Sequence, residues 1–238
     1  MKYVIALLLG LATGAFLFAA GLIFNPFSGE RALSPLSVTD AQTVTLSYSA
    51  AASDAIVFTN DGESSTKPYP EKVLQLWEAP IRQTWALATV MRDARNETAG
   101  YGIKLSSLSE STRLLAGQAT VNSVWYVYLP GRGGLFIEQT ENYWDYIRNI
   151  VLPAYRSAAD IWKGTWRGNM TSGPGALGTA KVVGSSGEFA NMQTDGVESL
   201  AVNVWRVDSG PIAADGTLLI ELPNQSTLAE KDTLLELD

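Results

Sequence analysis

Glu138, Glu141 and Asp145 are the carboxylates whose spacing allows chemistry, with Trp144 set between the last two. A pair of carboxyl groups is what glycoside hydrolysis needs, one as acid and one as base or nucleophile. Glu141 and Asp145, four residues apart, would share a helical face with Cβ atoms about 5–6 Å apart. Trp144 would then stack on a sugar ring. The same acids at a helix N-terminus also stabilise its macrodipole, which is the simpler account of them.

Composition removes most other chemistry. The 238 residues contain no His and no Cys. That excludes Ser-His-Asp triads, thiol nucleophiles, disulfides and the usual zinc ligands, so neither a metal nor a cofactor is expected. The net charge of −7 offers no basic face for phosphates, and nucleic acid is not an expected partner. Any catalysis must use Asp, Glu, Lys, Arg, Ser, Thr or Tyr.

Two further patterns have plain structural readings. Residues 173–178 fit G-x-G-x-x-G, but a strand pattern follows where a dinucleotide site requires a helix, so the stretch reads as a hairpin turn. Of the seven Trp residues, several alternate with polar neighbours in strand patterns or lie on an apolar helix face, which reads as core; exposed, they would make stacking platforms for sugars or a protein interface.

The elements that must position these residues start with Tyr3–Phe24, 22 residues without a charge. As a helix this run would be about 33 Å long, enough to cross a hydrocarbon layer of about 30 Å. Lys2 precedes it and Glu30 and Arg31 follow as a neutral pair, which places the N-terminus inside and the rest outside. Cleavage before Leu22, after the small residues Ala19 and Gly21, would instead release a secreted chain. Ala6, Gly10 and Gly14 form a small-residue stripe through which two such helices would pack as a homodimer.

Beyond it the chain divides into a stalk over 25–40, a β-rich half over 41–140, a central helix over 141–164, a second β-rich half over 165–222 and an acidic tail over 223–238. The fold class expected is mainly β (α+β): an N-terminal transmembrane helix, then antiparallel sheets or a barrel-like assembly with one central helix kinked at Pro153. Strands are expected at Thr43–Ser49, Ala55–Thr59, Ile81–Arg92, Tyr101–Ser107, Val121–Leu129, Leu135–Thr140, Thr165–Met170, Ala176–Val183, Glu188–Gln193, Glu198–Val207 and Thr217–Leu222. Helical turns are expected between Ser109 and Gly117, and Glu71–Trp77 fits either a helical turn or a strand.

These readings describe a single-pass membrane protein with a periplasmic or extracellular domain. Its expected role is that of a β-rich binding or scaffold protein of unspecified ligand, leaning away from an enzyme. The alternative is a carbohydrate-active hydrolase using two of Glu138, Glu141 and Asp145.

Overall fold

The computed structural model describes residues 2–23, 42–51, 56–58 and 84–222. Lys2–Ile23 forms one apolar helix, α1. The remainder is mainly β: β1 (Gln42–Ser49), β2 (Ile56–Phe58), β3 (Thr84–Arg92), β4 (Thr98–Leu108), β5 (Thr120–Leu129), β6 (Gly133–Asn142), β7 (Ile161–Asn169), β8 (Thr171–Gly173), β9 (Ala180–Gly187), β10 (Gln193–Arg206) and β11 (Gly210–Leu222). Strands from both halves of the chain join one antiparallel sheet, ordered β1-β11-β10-β9-β6-β5-β4-β3. β3 returns to β1 where Ser47 faces Arg92, so the sheet closes into a ring. The closure is uneven: β1 and β11 pair along eight residues, β1 and β3 at one.

The ring changes composition along its length. β9 occupies the gap between β6 and β10 at one end, pairing Gly133–Glu138 and Gln193–Gly196. Toward the other end β7 takes over the edge of β10 from Ser199 to Arg206, and β8 takes over β6 at Thr140 and Glu141. Met170, between β7 and β8, donates to Glu198 and accepts from Asn142, each at 2.8 Å, and carries the chain across.

Alternation decides what the ring encloses. Along β5, Val121, Ser123, Trp125, Val127 and Leu129 are buried, while Asn122, Val124, Tyr126 and Tyr128 are exposed. Leu46, Met91, Trp125, Val127, Leu135, Ile137, Val182, Leu218 and Ile220 form the apolar part of the interior. Each fully buried side chain of this size stabilises the fold by about 1.5–3 kcal/mol. Gly216 leaves room for the Tyr48 ring and Gly102 for Met91 and Trp125, positions a Cβ would occupy.

The central helix is shorter than the expected 141–164 and is not a simple kinked rod. It spans 144–156 as Trp144–Tyr146, a wide π turn at Ile147–Val151, and Leu152–Arg156. Pro153 lies inside this unbroken helix, just past the π turn, where its missing N–H removes one helical hydrogen bond and the wide turn before it accommodates the ring. The π turn rotates the residues that follow, so the buried side chains are Ile150 and Ala154, packed with Val202, Trp205 and Ala214, while Tyr155 is exposed. Ser157 leaves the helix in an extended conformation, and its hydroxyl bonds both the N–H and the carbonyl of Ile161. Trp162 and Lys163, expected at the end of the helix, lie in β7, because pairing with β10 satisfies their backbone better than a helix end would.

Other boundaries move for local reasons. Residues 188–192, expected as strand, form a turn in which Met192 donates to the Phe189 carbonyl at 3.0 Å. Of the turns expected between Ser109 and Gly117, one remains at Leu114–Ala116, and Gly117 ends it at φ 66°. The stalk, Glu71–Trp77, Ile81 to Gln83 and the acidic tail lie outside the described residues.

Candidate acid–base site inside the ring

Five strands carry the central charges and aromatics inward. Lys104 comes from β4, Trp125 from β5, Gln139 and Glu141 from β6, and Glu198 from β10, with Tyr48 arriving from β1. Their inward parity follows from the strand period of two: Gly102, Lys104 and Ser106 face in while Tyr101, Ile103 and Leu105 face out.

Lys104 Nζ is 2.6 Å from Glu141 Oε1, 2.8 Å from Glu198 Oε1 and 3.0 Å from Glu198 Oε2. It also lies 5.4 Å from the Trp125 ring centroid. Glu198 is heavily supported. Trp125 Nε1 donates to it at 3.0 Å, and Tyr48 and Gln139 donate to it through short hydrogen bonds. Thr171 completes this shell, donating to Gln139 at 2.9 Å and accepting from the Glu198 backbone N–H at 2.7 Å.

Glu141 is served differently. Lys104 and, at 3.4 Å, the Tyr143 hydroxyl both approach its Oε1. Its other oxygen, Oε2, is buried with no partner at hydrogen-bonding geometry, and the buried Ser123 hydroxyl beside the carboxyl is near enough only to lower its proton affinity slightly. The two carboxyls are therefore driven apart. Burial raises Glu141, and the charge of Lys104 offsets this only in part. For Glu198 burial also acts upward, but Lys104 and the bonds from Tyr48 and Trp125 outweigh it and hold the group below the usual carboxylate range. Burial disfavours charge on Lys104, yet the two glutamates keep it protonated far into the basic range. Tyr48 and Tyr143 are pushed up, first by burial and then by the carboxylates, and stay neutral donors. A buried pair of carboxyls pushed in opposite directions is the arrangement that separates an acid–base group from a fixed charge.

The three carboxylates singled out by sequence are not brought together. Glu138 and Glu141 both lie on β6, three residues apart, and so face opposite sides of the sheet. Glu138 is exposed and lines an open cleft of about 310 Å³ with Leu105, Asn122, Thr140 and Pro174, and no second carboxylate lines that cleft among the described residues. Asp145, at the start of the helix, accepts from Asn149 at 2.8 Å and from Trp166 at 3.4 Å on the exposed side. Trp144 is half-buried, its indole N–H unpartnered, so it is not an open stacking platform. Two carboxyls facing one cleft, the requirement for glycoside hydrolysis, are absent from this set, and the hydrolase reading is corrected. Gly10 and Gly14 of the membrane-helix stripe have open space where a Cβ would stand.

Lys104, Glu198, Tyr48 and Gln139 were missed in the sequence. A signal was present: Lys104 alternates with Tyr101, Ile103 and Leu105 in a strand whose apolar residues look like the core face. Glu198 shares its strand parity with Gly196, Leu200 and Val202, an acid on an otherwise apolar face.

No family model matches the chain, and no curated relative matches its sequence. Three solved structures are similar to it. AbnU, described as an exo-specific intermolecular Diels-Alderase, matches at TM-score 0.38 and 14% identity over 76% of this chain and 99% of its own. A nonspecific heme-binding cyclase of neoabyssomicin biosynthesis matches at 0.35 and 9% over 84% and 75%. The Diels Alderase AbmU from Streptomyces koyangensis matches at 0.35 and 7% over 82% and 78%. These descriptions are of those three proteins, which are enzymes; the expectation of a membrane-anchored binding or scaffold protein is set aside. α1 is long and apolar enough to cross a membrane, a property it shares with signal sequences.

Proposed function

We propose that the ring interior is an acid–base catalytic site in which Glu141 accepts and returns a proton. The observation that carries this reading is the unpartnered Oε2 of a fully buried carboxyl whose proton affinity is raised, next to a lysine held in its charged form. A carboxylate whose proton affinity is raised by burial is a stronger base than an ordinary carboxylate, whereas Glu198, saturated with donors, is a fixed negative charge. Lys104 would stabilise negative charge developing on a substrate oxygen as Glu141 takes the proton. Leu46, Trp125 and Ile137 give the surroundings an apolar character, which suits a small, uncharged carbonyl compound with an acidic C–H.

Access would run past the segment leading into the helix, where Tyr143 touches Glu141 and the π turn provides a natural point of movement. With α1 retained, Lys2 on the cytoplasmic side would place the ring outside the membrane.

The test is deuterium uptake. The full-length protein is incubated in D2O with a set of lipophilic ketones and lactones, and C–H exchange is followed by NMR. Exchange is expected with the wild type and is expected to fall about 100-fold or more in Glu141→Gln, while Glu138→Gln and Asp145→Asn leave it unchanged. Exchange that survives Glu141→Gln at full rate would sink the assignment.

A further inference from the structure

The outer wall of the ring carries an apolar face that an antiparallel sheet facing water does not ordinarily show. Ile103, Tyr126, Phe136 and Val183 stand in one cross-strand row over β4, β5, β6 and β9, and Tyr101 faces Tyr128 in the next. These six are 37% to 58% exposed. Tyr126 and Phe136 already stack on each other, ring centroids 5.0 Å apart, so the face is ordered before anything covers it. The following row begins with exposed Leu105 and Val124 and ends in Glu138 and Lys181, which are opposite each other on β6 and β9.

We propose that this face is the interface of a homodimer, with a second copy of the chain as its occupant. Size supports that choice. Half-exposed aromatic and branched side chains of this number present on the order of 600–800 Å², close to the roughly 800 Å² per partner of a standard interface and above the few hundred Å² of an ordinary monomer patch. Composition supports it too, since tyrosine and phenylalanine at the centre with charge kept to the margin is the make-up of an interface core. Glu138 and Lys181, of opposite sign and opposite each other on β6 and β9, leave that margin without net charge. An acidic chain of net charge −7 would otherwise repel its copy, and the face excludes that charge from the contact.

The absence of cysteine makes a direct experiment available. Full-length protein in mild detergent is expected to run as a dimer by light scattering. Tyr128→Cys is expected to form a disulfide-linked dimer under mild oxidation, and Arg206→Cys, on an exposed position away from the face, is not. Ile103→Glu with Tyr126→Glu is expected to raise the dissociation constant about 100-fold with an unchanged circular dichroism spectrum, whereas Gly10→Leu with Gly14→Leu leaves the dimer intact. Four results overturn the proposal: a wild-type monomer, equal crosslinking from both cysteines, a dimer indifferent to the Ile103 and Tyr126 changes, or a dimer lost only with the glycine changes, which would assign it to α1. A monomer whose Tyr128→Cys thiol is shielded from alkylation also overturns it, since another segment of the chain would then cover the face.

Discussion

Lys104 and Glu141 meet at 2.6 Å although β5 lies between their strands, so the ion pair bridges across a neighbour rather than along it. Both side chains are buried, and Glu198 on β10 closes the group from the opposite wall. The ring curvature is what allows this: inward side chains of β4, β6 and β10 converge on one point that a flat sheet would keep apart.

Removing the shared cation is the most disruptive single change at this point. Lys104→Met leaves two carboxyls buried without a counter-charge and is expected to cost about 3–5 kcal/mol of stability, read by urea denaturation. Adding Glu141→Gln should recover part of that loss, because one uncompensated charge is gone. A double mutant no more stable than Lys104→Met alone would show that the two residues are not coupled.

Stability should depend on pH on both sides of the ordinary carboxyl value of 4.5. Glu198 is depressed in the folded protein, so the unfolded chain binds its proton first; its stabilisation is present above that value and is lost as pH falls through the lowered folded pKa. Glu141 is raised, so the folded protein holds its proton longer; that contribution is present below 4.5 and is lost as pH rises through the raised folded pKa. Thermal unfolding followed by circular dichroism from about pH 3 to about pH 8 should therefore lose a falling limb in Glu141→Gln and an acid limb in Glu198→Gln. Identical profiles in wild type and Glu141→Gln would contradict the assignment of the raised group.

Gly216 is expected to control the Tyr48 contact with Glu198. A Cβ there overlaps the Tyr48 ring, and the phenol must shift to admit it. Gly216→Ala should cost about 1–3 kcal/mol by overpacking and should weaken the Tyr48 to Glu198 hydrogen bond. Tyr48→Phe provides the comparison: a smaller loss there than in Gly216→Ala separates crowding from the missing hydroxyl. Melting temperatures and near-ultraviolet circular dichroism of the three proteins decide it.

Much of the architecture was legible because local signals agreed with it. The Thr43–Ser49 alternation became β1, and the Pro130-to-Gly134 turn joined β5 to β6 as its glycines indicate. The central helix was legible in existence but not in extent. Trp162 continues the helical spacing perfectly well, and only the edge offered by β10 takes it into a strand. The site was hardly legible. Glu141 was noticed for its distance from Asp145 along a helix, yet it lies on β6; its actual partner, Lys104, is 37 residues before it, and Glu198, which shares that lysine, is 57 after it.

The sequence by itself determined an apolar N-terminal helix, a predominantly antiparallel β chain with one central helix, and a chemistry restricted to carboxylates, lysine and hydroxyls by the lack of His and Cys. Periodicity and composition are local properties, and local properties are written in the order of residues. Only the tertiary structure decided which side of each strand faces inward. In β4 it chose the side bearing Gly102, Lys104 and Ser106 over the more apolar one, because the ring needs small residues against Trp125 and a cation between Glu141 and Glu198. That choice follows from long-range closure, where a buried carboxyl with no counter-charge costs more than an exposed Ile103 or Tyr101.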